Sequence, residues 1–320
     1  MNAYVNTNPH VPLAQMCQFE PLDRLDSDEN IFYARELEHI LVELTEFKQA
    51  RITHREFFPV DTSAGPTAET ITWRQITRTG LAKIIANYGD EIPTVNVFTE
   101  EKSSSVRSQA IQAVWNLQEI RASKATGKPL DREDAIAARE AHMRQEGNIA
   151  FNGDTKHGLV GLFSSGTSIP FAAVTGGIWT SKTPIAVVTD MADNAKEIVI
   201  NTGDNEAPDT LALPIEQFDY IHQTNMGNGT DKTIARYFMD NSPYIKRLTR
   251  HRELAGKGPG GEDVMVAYEF NKRKIQLNVP LDLEQLPPER NGLETSVIYH
   301  MRQGGITVRR PLSLNMKYGI

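Results

Sequence analysis

The stretch ETITWRQITRT, Glu69 to Thr79, constrains the fold more than any other part of the chain. Its β-branched and aromatic residues favour an extended strand, and DTSAGPTA before it and Thr79-Gly80 after it mark turns. Yet Ile71, Trp73 and Gln75 alternate with Thr72, Arg74 and Ile76, so neither face is cleanly apolar. A ribbon of this kind is marginal alone. ARITHREFFPV and LAKIIANYG share the texture, and together these segments read as long hairpin strands that lie on another molecule rather than on a private core.

The rest of the chain can build a core. With 320 residues it would bury roughly three quarters of its unfolded surface. Apolar content of 39% and charged content of 23% are those of a soluble globular protein, without general disorder or a fibrous repeat. A net charge of −7 argues against a main task of coating nucleic acid. The charge is uneven. Glu20, Asp23, Asp26, Asp28, Glu29, Glu36, Glu38, Glu43 and Glu46 crowd the first fifty residues, whereas YIKRLTRHREL carries Lys246, Arg247, Arg250, His251 and Arg252. Cys17 is the sole cysteine, which excludes an internal disulfide and a thiolate metal cluster and suits a reducing compartment. No apolar run approaches the ~20 residues of a membrane span, and MNAYVNTNPHVPLAQ lacks the build of a secretory signal. It reads as an extended arm.

Periodicity predicts the elements. Ile31, Leu37, Ile40, Leu41 and Leu44 suggest a helix opened by Asp28 or Asn30. Val106, Ala110, Val114, Leu117 and Ile120 fall at helical spacing after three serines, so a long helix is expected up to Gly127 and Pro129. Asp131 would cap a second helix ending at Asn152 and Gly153. Beyond HGLVGLF the pattern is mixed: TPIAVVTDMADNAKEIVI, IEQFDYIHQT and TIARYFMDN suit helices, and TLALP, VMVAYEF and KIQLNV suit strands. The end reads as two strands joined at Gly304 and Gly305.

Chemistry-bearing motifs are sparse. No serine-hydrolase, P-loop, dinucleotide or zinc-protease spacing is present, and GKGPGG, Gly256 to Gly261, reads as a mobile loop. Asp190, Asp193 and Glu197 share a helical face that is better read as solvated than as a cation site. The sharpest candidate is His142 with Glu146, one turn apart in EAHMRQEGNIAFNGD, as an acid/base couple. The plainer reading makes Ala135, Ala138, His142 and Ile149 a buried stripe, with Glu146 tethering the imidazole. No metal and no cofactor are expected.

In order, an acidic arm, a long hairpin, a long helix, a helix ending in NGD, a mixed domain and closing strands resemble a tailed-phage major capsid protein. The likeness is to the noncovalent HK97-like capsid fold, an α+β architecture, carried by DTSAGPTAETITWRQITRTGLAKIIANYGDEIPTVNV, LQEIRASKATGKPLD, PDTLALPIEQF, YFMDNSPYIK and LEQLPPERNGLETSVIYHMRQGGITVRRPL. It spans about Ile31 to the C-terminus. The resemblance implies an N-terminal arm over 1–49, an extended loop over 50–100 and a peripheral domain over 101–183 with a spine helix at Val106 to Thr126. It further implies an axial domain over 184–287 and closing strands over 288–320 that complete the peripheral sheet.

The implied function is a self-assembling icosahedral head shell that encloses double-stranded DNA, not an enzyme. The implied partners are the chain itself in pentamers and hexamers, a separate scaffolding protein, the portal, a cement protein and packaged DNA by nonspecific proximity, with no membrane. Its place would be the virion, after assembly in the host cytoplasm. Too few residues precede the loop for a built-in scaffolding segment, and the lysine, asparagine and glutamate set of a covalent cross-link is not matched. Candidate intersubunit contacts are Glu20, Asp23, Asp26, Asp28 and Glu29 on the arm, Trp73, Arg74, Arg78 and Lys83 on the hairpin, and Lys246, Arg247, Arg250 and Arg252. The alternatives are an encapsulin-like compartment on the same fold and a soluble α/β hydrolase using His142 and Glu146.

Overall fold

The computed structural model describes residues 50–83, 93–127, 130–227 and 229–320. The arm acids and the helix expected after Asp28 lie outside them, as does most of LAKIIANYG. A one-turn helix α1, His54–Phe57, is followed by β1, Val60–Asp61, and by a ten-rung antiparallel hairpin of β2, Thr70–Thr79, and β3, Asn96–Ser105. Then come β4, Arg107–Asn116, α2, Leu117–Thr126, and α3, Leu130–Asn152. The second half runs β5 Phe171–Ala173, α4 Pro184–Thr202, β6 Thr210–Leu213, α5 Ile215–Gln223, β7 Asn225–Gly227, β8 Thr230–Thr233 and α6 Ile234–Asn241. It closes with β9 Arg247–Arg250, β10 Val264–Tyr268, β11 Ile275–Asn278, β12 Leu281–Gln285, β13 Glu289–Asn291, β14 Glu294–Gln303, β15 Ile306–Val308 and β16 Asn315–Tyr318.

A five-stranded sheet in the order β5-β16-β10-β6-β9 organises the molecule. Every residue of β10, VMVAY, is buried, because successive side chains leave opposite faces and both faces are covered. Val264, Val266 and Tyr268 join one core with Phe57, Phe58, Phe151, Leu162, Leu277 and Ile306. Met265 and Ala267 join the other, with Trp179, Val187, Met191, Leu211, Leu213 and Phe238. A third, small cluster of Trp115, Ala138, Val297 and Tyr299 packs α3 on the sheet formed by β4, β14, β12 and β13.

The long helix expected from Val106 is not formed in its first half. Residues 107–116 are the strand β4, paired with β14 over all ten positions from Arg107↔Gln303 to Asn116↔Glu294. Gln109, Ala113 and Trp115 turn inward on one face, which Ile111 shares at an open groove, while Ala110, Gln112 and Val114 face out, a period of two that the spacing of Val106, Ala110 and Val114 hid. The serines belong to β3, and Ser104 donates to the Gly304 carbonyl at 2.8 Å. Helix α2 is instead opened by Asn116, which forms a capping box with Glu119. Among the described residues the longest helix is α3, 23 residues, and it ends at Asn152 as expected.

Two further expectations change. THREF is a helical turn rather than a strand, because Phe57 and Phe58 must both reach the Phe151 ring while Phe57 also stacks on Tyr268. The closing strands do not pair with each other or complete a single sheet. β14 lies beside β4, β15 pairs with β11, and β16 pairs with β10 and β5.

The exit of α3 depends on two crossing backbones. A Cβ on Gly161 would stand 2.1 Å from the Gly153 nitrogen and 2.7 Å from the Ile149 carbonyl oxygen. Gly161→Ala is therefore expected to cost more than about 3 kcal/mol, since backbone on both sides must move. Gly65, unlike Gly161, has positive φ, 73°, but a Cβ there meets nothing within 4 Å, so Gly65→Ala should cost only about 1–2 kcal/mol. Urea unfolding of both variants checks the difference, and equal losses would refute the crossing as the cause.

Candidate functional site

The His142–Glu146 couple is not formed. Glu146 is wholly buried, with one oxygen 2.9 Å from His54 Nε2 and 2.9 Å from Arg55 Nε, and the other 2.8 Å from Arg55 Nη2. Arg55 also donates to Asp282 at 3.0 Å. Gly147 permits this approach, because a Cβ there would lie 3.0 Å from His54 Nδ1. Glu146 thus fastens α1 to α3. It does not tether His142, whose Nε2 lies 3.2 Å from the Tyr299 carbonyl. His142 edges a groove of about 360 Å³ between β4 and α3, together with Arg107, Gln109, Ile111, Gln145 and His157. His157 Nδ1 stands 2.5 Å from Asp154.

Among the described residues no group of three or more His, Cys, Asp or Glu side chains is placed to hold a metal. Asp190 is paired with Lys182 at 2.6 Å and Glu197 with Lys317 at 2.6 Å, so two members of the acidic face are anchors rather than solvated charges. No described helix is long and apolar enough to cross a membrane.

The hairpin divides into two halves. Near its base Ile71, Trp73 and Gln75 turn inward and are half-buried, and Arg302 bonds the Pro66 carbonyl. Beyond them every residue of β2 is exposed, and Ile76, Val97 and Phe98 are 57%, 59% and 61% exposed. Arg74 is already paired across the ladder with Glu101 at 2.7 Å, whereas Arg78 and Lys83 are exposed farther out. The basic run is split by burial. Lys246, Arg247, Arg250 and Arg252 are exposed on and beside the edge strand β9, where cations discourage edge-to-edge pairing. Arg247 donates to the Glu56 carbonyl at 3.1 Å and stands 5.2 Å over the Phe270 ring, while His251 is buried edge-on against Phe57.

A family model described as Major capsid protein matches residues 80–320. The chain belongs to the major capsid protein family. No curated protein matches it. Among solved structures, it is similar to the capsid of Myoviridae phage XM1 at 18% identity and TM-score 0.78, covering 92% of this chain and 100% of that one. It is similar to the capsid of a native GTA particle at 11% identity and TM-score 0.62, over 88% and 94% of the two chains. A virus-like particle from Pyrococcus furiosus matches at 11% identity and TM-score 0.51, over 82% and 90%. The fold is the HK97-like, α+β capsid fold.

Two buried groups of this capsid protein make its stability depend on pH. Burial pushes the Glu146 carboxyl up, but hydrogen bonds and charges from His54 and Arg55 outweigh it and hold the carboxyl below its ordinary 4.5. Burial, partly opposed by Glu56 and reinforced by Arg247 and Arg51, lowers His251 from 6.5 to about 4. In both cases the unfolded chain binds its proton first as pH falls. The His251 contribution is full above 6.5 and lost by about 4; that of Glu146 is full above 4.5 and lost below it. Stability should fall by about 3 kcal/mol between pH 6.5 and 4 on account of His251. His251→Phe should flatten that interval yet keep the fall below 4.5. Glu146→Ala, which strands the buried His54 and takes from half-buried Arg55 its bidentate partner, should lose roughly 3–5 kcal/mol at neutral pH. Denaturant unfolding across pH reads all three effects.

Proposed function

We propose that the chain is the subunit of an icosahedral phage head, assembling through pentamers and hexamers into a shell that encloses double-stranded DNA. The observation that carries this reading is the distal hairpin. Its Ile76, Val97 and Phe98 project from a two-stranded ribbon, in a chain whose family match covers residues 80–320. Such apolar surface is covered by a neighbouring copy, and many modest contacts of this kind add up in a closed assembly.

In this reading the arm spans 1–49, the extended loop 50–100, the peripheral domain 101–183 with 288–320, and the axial domain 184–287. The role is mechanical rather than enzymatic, with His142 serving packing. A separate scaffolding protein guides assembly in the host cytoplasm, a portal occupies one vertex of the virion, and a cement protein can bind outside. Lys83 has no covalent role, so mature shells should run as single chains in denaturing gels.

The test is assembly with the scaffold, followed by light scattering and negative-stain microscopy. Replacing Ile76, Val97 and Phe98 by Ser should leave the unfolding midpoint of the isolated chain within about 1 kcal/mol, because these side chains touch little of their own molecule. The same variant should lose shell formation. Wild-type chain that stays monomeric under every assembly condition would overturn the proposal.

A further inference from the structure

The acidic N-terminal segment has a counterpart in charge on the body of the chain, a basic patch most of whose cations have no carboxylate partner among the described residues. Residues 1–49 hold nine acids and three bases, most of the chain's net charge of −7. On the body, segments distant in sequence converge around residues 206–209. The backbone amides of Lys246 and Arg247 both bond the Asp209 carbonyl, at 2.8 and 3.0 Å, and the Phe270 amide bonds the Asp209 carboxylate at 3.0 Å. The Arg309 amide bonds the Lys274 carbonyl at 2.9 Å, which brings Arg309 and Arg310 beside Lys272 and Arg273. Lys246, Arg247, Lys272, Arg273, Arg309 and Arg310 are all exposed.

The acids within the patch do not neutralise it. Glu206 is taken by Lys274 and Arg310, and Glu269 by Lys274. Asp209 is half-buried and bonded to Thr210 and the Phe270 amide. Among the described residues, Lys246, Arg247, Lys272, Arg273 and Arg309 have no carboxylate within ion-pair distance. The guanidinium of Arg247 is oriented by Phe270 and by the Glu56 carbonyl, so it is presented rather than folded away.

We infer that this patch receives the acidic segment Glu20–Glu46 of a second copy of the chain. The inference rests on the shell reading above and names one of its contacts. Opposite charges on distant parts of one chain make a head-to-tail contact, the kind that closes into rings. A polyanionic segment meeting a cationic patch also steers encounter and rejects wrong registers. Arg74, paired with Glu101, is no part of this contact.

Light and isotopically heavy full-length chains, mixed before assembly and treated with a carbodiimide, test it through the patch lysines. Mass spectrometry should find Lys246 or Lys272 joined to acids between Glu20 and Glu46, with light–heavy pairs in the proportion set by random mixing. Reversing Lys272, Arg273 and Arg309 to Glu should slow assembly roughly tenfold at low salt. Adding Asp23→Lys, Asp26→Lys, Asp28→Lys and Glu29→Lys should restore the rate. Shells that form without these cross-links, or with pairs from one isotope only, overturn the proposal and leave the shell reading intact. A patch-reversed variant that assembles at the normal rate but retains less DNA assigns the patch to phosphate instead and also overturns it. Absence of shells under every condition overturns both.

Discussion

Strand β10 must be covered on both faces, and the rest of the described molecule is arranged around that requirement. Five consecutive buried side chains, each contributing roughly 1.5–3 kcal/mol where it is large and apolar, reward only a structure with a core on either side. One is built from the aromatic cluster around Phe57 and Phe151, the other from α4 and α6. Neither can withdraw without opening the sheet they share. Freedom to change shape therefore belongs to parts that the cores do not hold, above all the distal hairpin.

The burial on both sides also decides what the sequence discloses. TLALP and VMVAYEF read directly as strands because a strand covered on both faces is a nearly continuous apolar run between turns, while KIQLNV reads as one by alternation, with Gln276 and Asn278 buried and hydrogen-bonded on its other face. Helix α4 is equally legible, with Pro at its start and Gly203 in the left-handed conformation at its end. β4 is not. Covered by α3 on one side only, it has apolar residues at spacings that serve a helix as well as a strand, and its partner β14 lies nearly two hundred residues away.

The same distance hides the partners of Glu146. A carboxylate one turn from a histidine invites a local pairing, whereas its bonds go to His54 and Arg55, more than ninety residues earlier. Nothing in THREF marks those bases as buried. The hairpin was legible for the opposite reason: beyond its own ladder, the upper half packs on no other described element, and the lack of a clean apolar face already says so in ETITWRQITRT. Its base is seated all the same, a detail that depends on Gly304 leaving room for Ile71.

Helix α1 lies between residue 50 and the hairpin, and Arg55 grips Glu146 with two nearly parallel bonds of 2.9 and 2.8 Å. Tension entering at residue 50 meets this fork before it reaches Phe57 and the aromatic core. A directional, bidentate pair resists displacement along its bonds far better than apolar packing, which slides with little resistance. The fork is thus a strain relief for any pull that the chain would transmit through residue 50 into the close-packed body. Its second carboxylate, Asp282, lies at the start of β12, so the load passes into the sheet that carries β14 and β4 rather than into either side of β10.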